Sequence, residues 1–367
     1  MTDRGGINVV LRHQGPIPLD VEFSCAAGEL LALVGPSGSG KSTVLRAIAG
    51  LFRPDHGAIT CNGDVWFDQA AGIDVATRLR RTGFVFQNFG LFPHLTALEN
   101  VMEGLIDLAA PSRRDRAHEL LSRVHLAGLE DRKPGQLSGG QQQRVAVARA
   151  LARDPHVLLL DEPFSAVDKA TRQRLYKELV DLRRQLDMPV ILVTHDLDEA
   201  ALLADRLCIL HHGKTLQSGP PFDVMARPAS GEVARLVDQK NIFSGTVAGH
   251  DGAADRTLVT WGAVTLVARH QPEFSVGQEL SWMIPAADVR VHRIDQPPRE
   301  DSENTITGII SDVTRLGDQA GLSLAIDAAS ALPLFLSIRM AYVKRHGLEI
   351  GDAVTVSLNP VGIHLME

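Results

Sequence analysis

Short apolar runs alternate with helical stretches along the chain up to about Met225. Apolar runs bounded by turn residues are typical of buried strands. Their alternation with helices predicts an α/β domain with a largely parallel sheet. The predicted strands cover 30–34, 83–86, 156–161, 190–194 and 206–210.

The strand pattern stops between Asn88 and Gln136. Apolar residues there have helical spacing, over 97–109 and 113–127, so the pattern predicts helices in this stretch. We therefore expect a helical subdomain of about 88–136, inserted in an α/β domain that occupies 1–236.

A different pattern begins at Asn241, where short β-type runs are broken by Gly, Asp and Pro, and this part contains an internal repeat. Asn241 and Gly245 recur as Asn304 and Gly308. Two further glycines are followed by apolar residues at identical offsets: Gly277 by Leu280, Trp282, Ile284, Val289 and Val291, and Gly351 by Val354, Val356, Leu358, Ile363 and Leu365. The repeat predicts two copies of a small β module, at 241–295 and 302–367, joined by a linker at 296–301. The alternative is two unrelated β stretches of similar composition.

Composition excludes several classes of protein. The net charge is −7, and from Asn241 onward 9 Lys and Arg stand against 15 Asp and Glu, a net of −6, which leaves −1 for the rest. Neither part has the basic surplus of a nucleic-acid-binding protein. The apolar runs are too short to cross a bilayer, and the first residues lack the apolar segment of a signal peptide. Three scattered cysteines lack metal-ligand spacing and fit buried thiols in a reducing cytoplasm.

A phosphate-loop pattern, G-x-x-x-x-G-K-[ST], follows the strand 30–34 and leads into a predicted helix at 42–51. Its residues are Gly35, Pro36, Ser37, Gly38, Ser39, Gly40, Lys41, Ser42 and Thr43. In this context backbone N–H groups curl around a phosphate, and the helix N-terminus adds partial positive charge. Lys41 can reach the outer phosphates, and the Ser42 hydroxyl can ligate Mg²⁺. The plain alternative is a glycine turn between a strand and a helix.

Polar residues follow three other predicted strands. Asp161 and Glu162 end the strand 156–161, at the sheet edge where open α/β folds place their sites. Asp161 can hold Mg²⁺ through water, and Glu162 is placed to deprotonate a water in line with a γ-phosphate. Gln87 and His195 follow the strands 83–86 and 190–194. Taken singly, each of these two could be an ordinary loop residue.

A glycine pair precedes a further predicted helix, at 142–153. Ser138 is a typical N-cap residue, and Gly139 and Gly140, followed by Gln141, leave the helix N-terminus open to an anion. The order of phosphate loop, Gln87, L-S-G-G-Q, D-E, Asp168 and His195 resembles the nucleotide-binding subunits of ABC transporters. The resemblance covers about residues 30 to 200, and L-S-G-G-Q separates that family from other phosphate-loop proteins.

The resemblance implies a role for each matching position. ATP with Mg²⁺ would be bound by the phosphate loop and Asp161, with Ser42 and Gln87 also at the metal. Glu162 would polarise the attacking water, His195 would hold the γ-phosphate, and Gln87 would sense it. Ser138, Gly139, Gly140 and Gln141 would contact the γ-phosphate bound by the opposite subunit.

The resemblance also implies partners and a place in the cell. A homodimer completes both composite sites. Two integral-membrane permease subunits, fed by a periplasmic or extracellular binding protein, would receive the energy of closure. The chain would then be a peripheral protein on the cytoplasmic face of the membrane.

The segments after Gln87 and His195 look like those of importers that use a binding protein, and the β repeat resembles TOBE or molybdate-type modules. Molybdate or a related oxyanion is the favoured cargo; sulfate/thiosulfate, ferric iron and polyamine are alternatives. Ser302-Glu303-Asn304 lacks the arginine usual in molybdate modules. The aromatic residue that the family stacks on adenine is also missing, and His13 is the nearest substitute. Two remote alternatives are a soluble, non-transport ABC ATPase and a small-molecule kinase.

Overall fold

The computed structural model of the chain describes residues 5–165, 167–292, 304–326 and 332–367. It divides into two compact units, Met1–Val224 and Met225–Glu367. Among the described residues, no helix combines the length and apolar character that a membrane span needs.

The first unit is built around one mixed sheet. Its strands are β1 (Gly6–His13), β2 (Leu19–Ala26), β3 (Leu30–Val34), β4 (His56–Cys61), β5 (Asp64–Asp68), β6 (Ile73–Asp74), β7 (Thr82–Val85), β8 (Val157–Asp161), β9 (Val190–Thr194), β10 (Arg206–His211) and β11 (Lys214–Gly219). Its helices are α1 (Lys41–Ile48), α2 (Ala97–Met102), α3 (Ala110–Arg123), α4 (Gly139–Leu151), α5 (Lys169–Arg183) and α6 (Leu197–Leu203). Helix α7 (Pro221–Ala226) spans the division between the units.

The strands are arranged in the order β6-β5-β4-β1-β2-β11-β10-β3-β9-β8-β7. The five strands from β10 to β7 are parallel, as predicted. The expectation of a largely parallel sheet fails for the other six, which pair mainly antiparallel. None of these six strands forms a continuous apolar run over its whole length, and β2 alternates buried and exposed residues throughout, so the apolar pattern did not predict them.

Continuous apolar runs mark strands that are covered on both faces. In β8, Val157 and Leu159 pack with the cluster around α1, while Leu158 and Leu160 pack with the cluster that includes α4 and α5. Successive side chains of a strand point to opposite faces, so a strand buried on both sides must be apolar throughout. Because the buried strand is held from both sides, the position of its end, and of the polar residues there, is well defined.

The inserted helical subdomain is present, with shorter helices than predicted. The helix predicted at 97–109 is α2 followed by a 3₁₀ turn at Glu103–Leu105. Helix α3 begins at Ala110 rather than 113, with Pro111 in its first turn, where proline's missing N–H costs nothing. Helix α4 begins at Gly139, earlier than the predicted 142, because the glycine pair is itself helical.

The second unit is all-β apart from short helices. Its strands are β12 (Ile242–Asp251), β13 (Arg256–Trp261), β14 (Val264–Arg269), β15 (Glu279–Met283), β16 (Val289–Val291), β17 (Thr305–Leu316), β18 (Gln319–Ala325), β19 (Leu334–Arg339), β20 (Ala353–Leu358) and β21 (His364–Met366). Its helices are α8 (Gly231–Leu236) and α9 (Met340–His346). The predicted linker 296–301 and the residues Ser302 and Glu303 lie outside the described residues.

The two repeats exchange their last strands. One sheet has the order β14-β13-β12-β15-β21 and the other β16-β20-β17-β18-β19. In the first sheet Trp282 pairs with Leu365, and in the second Val356 pairs with Val291. Trp282 and Val356 occupy the same offset in the two repeats, as do Val291 and Leu365. One apolar core therefore joins both sheets, and neither repeat forms a separate module.

The two repeated asparagines have matching hydrogen bonds. The carboxamide of Asn241 bonds both backbone groups of Phe335 in β19, at 2.7 Å each. Asn304 does the same to Val267 in β14, at 2.6 and 2.7 Å. Each asparagine thus binds the edge strand of the sheet built mainly by the other repeat.

The packing division at 224/225 lies before the predicted end of the ATPase domain at 236. The reason is that α8 packs on β12 and β15 of the second unit.

Candidate functional site

The phosphate loop is shaped by three glycines. Gly38 and Gly40 have φ angles of 83° and 96°, in the left-handed region that glycine adopts without strain. A Cβ at Gly35 would stand 2.0 Å from the carbonyl oxygen of Leu210 in β10, so only glycine fits this close approach. The loop is thereby held between the end of β3 and the start of α1.

Lys41 is buried and folds back over this loop. Its Nζ donates to the carbonyl oxygens of Gly35 at 2.8 Å and Pro36 at 2.9 Å. Burial lowers the pKa of Lys41, and the nearby Glu162 and Asp161 carboxylates oppose that effect. The ammonium group is thus placed inside the loop, where an anion entering the loop would meet it.

Ser42 and Asp161 meet at the start of α1. The Ser42 hydroxyl donates to Asp161 Oδ1 at 2.8 Å. Burial raises the pKa of Asp161, the Ser42 hydrogen bond lowers it, and the charge of Glu162 raises it further. Hydroxyl and carboxylate oxygens suit Mg²⁺, which usually keeps several waters and binds substrate phosphates together with one or two carboxylates. The pair therefore fits such an ion. The described residues hold no cluster of three or more His, Cys, Asp or Glu that could bind a metal alone.

Glu162 lies between Gln87 and His195. Gln87 Nε2 donates to Glu162 Oε2 at 3.2 Å, and His195 Nδ1 lies 3.5 Å from Glu162 Oε1. The backbone of Glu162 has a φ of 45°, a left-handed conformation that costs energy in a residue with a side chain. Its N–H donates to the carbonyl of Val193 at 3.0 Å, which fixes this turn beside β9.

Ser138 and Gln141 begin α4 with a capping box. Gln141 N–H donates to Ser138 Oγ at 3.3 Å, and Ser138 N–H donates to Gln141 Oε1 at 2.9 Å. In the described structure, the hydrogen bonds of these two side chains are local to this helix start. The structure thus brings Lys41, Ser42, Asp161, Glu162, Gln87 and His195 together and leaves Ser138–Gln141 apart from them. Gln141 has a structural role that the spacing S-x-x-Q could have predicted.

His13, the nearest substitute for an adenine platform, is occupied by other contacts. Its Nδ1 lies 2.9 Å from Asp55 Oδ2, and its ring meets Phe52 edge-on with centroids 4.9 Å apart. Ile17, by contrast, is 45% exposed and lies beside Gly40. Sequence reasoning had not singled out Ile17, since an exposed aliphatic residue carries no signal by itself.

Comparison with known proteins agrees with this geometry. A family model described as ABC transporter matches residues 19–165. The sulfate/thiosulfate import ATP-binding protein CysA of Burkholderia pseudomallei is 39% identical over 343 residues, which cover 92% of this chain and 91% of that protein. This chain belongs to the ABC transporter family.

Other relatives are also import ATP-binding proteins. The spermidine/putrescine protein PotA of Nitratidesulfovibrio vulgaris is 40% identical over 76% of this chain and 74% of its own. The molybdenum protein ModC of Paramagnetospirillum magneticum is 35% identical over 82% of each. The structure of cbiO1 from Clostridium perfringens, part of an ABC transporter complex, matches with a TM-score of 0.54 at 30% identity, covering 63% of this chain and 94% of that one.

The family membership confirms the main prediction from the sequence. This ABC protein is an importer ATP-binding subunit, an ATPase that uses ATP with Mg²⁺ and couples hydrolysis to transport. The names of the relatives divide among polyamine, molybdenum and sulfate.

Proposed function

We propose that this chain drives an importer through a hydrolytic site centred on Glu162. The observation that carries the proposal is the position of the Glu162 carboxylate, held between Gln87 and His195 beside the Ser42–Asp161 pair. A general base must stand within hydrogen-bond reach of the water it activates, with its orientation fixed by neighbours. Gln87 and His195 supply that orientation from the ends of two different strands.

The phosphate loop and the neighbouring side-chain oxygen atoms would bind Mg-ATP. The Gly35–Thr43 backbone would cradle the phosphates, and Lys41 would exchange its bonds to loop carbonyls for phosphate oxygens. Ser42, Gln87 and, through water, Asp161 would hold Mg²⁺, which neutralises charge on the phosphates when bound. His195, 58% exposed in its side chain, would hold the γ-phosphate.

The separation of Ser138–Gln141 from these residues supports a homodimer. A helix N-terminus with two glycines suits an anion, yet its side-chain hydrogen bonds stay within its own helix start. Two copies related by a two-fold axis would bring each such N-terminus to the partner's phosphate loop. Each ATP would then be enclosed by both chains, and closure would drive the transporter.

Cross-linking tests this dimer. Ser37 and Ser138 are both exposed, and the cysteines of the chain are buried, so a Ser37→Cys, Ser138→Cys chain carries two new accessible thiols. With Mg-ATP we expect oxidation to yield a covalent dimer that ADP does not support. Each single variant serves as the control. Failure of the double variant to cross-link with bound ATP would contradict the composite site.

Two permease subunits and a binding protein complete the proposed transporter, with this chain on the cytoplasmic face of the membrane. The import relatives and the exposed apolar residues on either side of Gln87 support this, because Phe86 and Phe92 are 40% and 43% exposed. Such residues suit a helix from a membrane partner.

The cargo that we propose is an oxyanion of the molybdate or sulfate type. Two oxyanion importers are among the relatives, and the sulfate/thiosulfate relative is matched over the larger share of the chain. Polyamine is the second candidate, because PotA is equally similar over a shorter stretch.

Uptake by cells that lack this chain tests the cargo. Radiolabelled molybdate, sulfate, thiosulfate, spermidine and ferric citrate are compared, with the gene supplied intact or as Glu162→Gln. Loss of molybdate or sulfate uptake that only the intact chain restores is the expected result. Loss of spermidine or ferric uptake alone would overturn the oxyanion proposal and leave the ATPase assignment intact.

A further inference from the structure

A cavity of about 70 Å³ lies beside His195 and Glu162. Its walls come from the two segments that follow β8 and β9 and from α5 and α6. They include Glu162, Arg172, Thr194, His195, Asp196 and Glu199. Glu162 and His195 belong to the proposed hydrolytic site, whereas Arg172 and Glu199 have no role in it so far.

Arg172, on α5, connects both segments. Its Nη2 donates to the carbonyl oxygen of Val167 at 3.0 Å, beside Asp168. Its Nη1 lies 3.7 Å from Asp196 Oδ2, directly after His195. Its Nε is buried and has no hydrogen-bond partner among the described residues.

Glu199, on α6, is only 5% exposed and braces the same segment from the other side. Its carboxyl group hydrogen-bonds the Thr194 side chain. Thr194 Oγ1 in turn accepts the N–H of Asp196 at 3.0 Å, and Asp196 Oδ1 accepts the N–H of Glu199 at 3.0 Å. The second carboxyl oxygen, Oε1, is buried without a hydrogen-bond partner in the described part of the chain.

The contacts close a loop around His195. Val167 is tied to Arg172, Arg172 to Asp196, and Asp196 through Thr194 to Glu199. These contacts connect the segment before α5 to Asp196, which directly follows His195.

We propose that Arg172 and Glu199 are positioning residues that hold the His195 segment in register with the Glu162–Asp168 segment. Neither touches nucleotide in this account, and both act through His195. The inference rests on the proposed function in one respect, namely the assignment of Glu162 and His195 to hydrolysis.

Charge makes this arrangement sensitive to pH. The charged and titratable groups around Glu199 are Asp196 at its own helix start, His195 in the same cavity wall, Arg172 and Tyr176 on α5, and Glu162 after β8. Burial raises the pKa of Glu199 to about 7, the Thr194 hydrogen bond lowers it, and the Asp196 charge raises it again. Below pH 7 the Glu199 carboxyl group is neutral and does not attract Arg172, which keeps its contacts with Asp196 and Val167. Above pH 7 the charged Glu199 carboxylate competes with Asp196 for Arg172, because Glu199 Oε1 and Arg172 Nε are both buried without a hydrogen-bond partner among the described residues.

The test compares kcat and KM for ATP in the full-length chain between pH 6 and pH 8.5. In the wild type we expect the Glu199 ionisation to lower kcat by up to about tenfold per pH unit above 7, with KM unchanged. Glu199→Gln should remove that fall, because the amide keeps the shape and the neutral state. Asp198→Asn, an exposed neighbour on α6, is the matched control and should keep the wild-type profile.

A second pair of variants tests Arg172. Arg172→Ala should lower kcat at least tenfold at every pH without raising KM, and Arg172→Lys should recover part of the loss. Arg184→Ala, at a side chain that is 77% exposed, is the control. Identical pH profiles for wild type and Glu199→Gln, or an Arg172→Ala effect confined to KM or to thermal stability, would overturn the proposal.

These outcomes are distinguishable from failure of the proposed function. If Glu162→Gln hydrolyses ATP normally, the hydrolytic site itself is misassigned. If Glu162→Gln is inactive while the Arg172 and Glu199 variants behave as the wild type, only this inference fails.

Discussion

The Ser42 hydroxyl and the Asp161 carboxylate lie 119 residues apart in the chain and meet at 2.8 Å. The contact forms because α1 starts directly after the phosphate loop and β8 ends beside it in the parallel part of the sheet. It joins the start of α1 to the end of β8, one residue before Glu162, the proposed general base.

Lys41→Ala should weaken ATP binding. The Lys41 ammonium group donates to two carbonyl oxygens of the phosphate loop. The substitution removes this positive charge, which would otherwise bind the outer phosphates. We expect the Kd measured by calorimetry to rise at least tenfold, about 1.4 kcal/mol. Lys177→Ala, an exposed lysine on α5, should leave Kd unchanged. Equal affinity for ATP in the Lys41 variant would mean that the loop backbone alone binds the phosphates.

The repeated glycines Gly245 and Gly308 should not tolerate alanine. A Cβ at Gly245 would stand 2.8 Å from Val259 Cγ1 and 2.9 Å from the Thr260 carbonyl. A Cβ at Gly308 would stand 2.9 Å from the backbone carbonyl oxygen of Ala325 and 2.5 Å from Ile326 Cδ1. Overpacking of this kind costs about 1–3 kcal/mol, so each Gly→Ala variant should lower the melting temperature of the second unit.

Gly249 provides the matched control for both, because it lies in β12 with nothing within 4 Å of an added Cβ. Gly249→Ala should melt close to the wild type in the same calorimetric scan. Equal melting temperatures for all three variants would show that the two repeats do not pack as described.

The three thiols should resist alkylation in the native protein. Burial raises the pKa of Cys25 and Cys61 to about 12 and that of Cys208 to about 11. Because the thiolate is the reactive form, iodoacetamide at pH 8 should react about a thousandfold more slowly with Cys25 and Cys61, and about a hundredfold more slowly with Cys208, than with a free thiol. Mass spectrometry before and after addition of urea measures this. Rapid labelling without urea would mean that these strands open readily.

The parallel half of the first sheet and the residues of the site could be predicted from the sequence. A strand buried on both faces leaves a continuous apolar run, as in β8, and the polar residue that follows then stands at a known edge. The antiparallel strands lack such runs, as in β2 with its alternating pattern, and were not predicted. Residues such as Arg172 and Glu199 also gave no signal, because their partners are brought close only by the packing of α5 and α6.

The exchange of strands in the second unit could not be predicted either. The offsets after Gly277 and Gly351 indicated two similar units, but pattern alone does not say which sheet a strand joins. The partner is decided by geometry, which pairs Trp282 with Leu365 from the other repeat.

The rate of ATP hydrolysis by Glu162→Gln tests the central claim most directly. The amide keeps the size of the side chain but cannot accept a proton from water, so we expect kcat to fall by about 10²–10⁴-fold. ATP affinity should stay within a factor of two, and the exposed Glu273→Gln should hydrolyse at the wild-type rate. Near-normal hydrolysis by Glu162→Gln would contradict the account, because the carboxylate held by Gln87 and His195 would then not be the base.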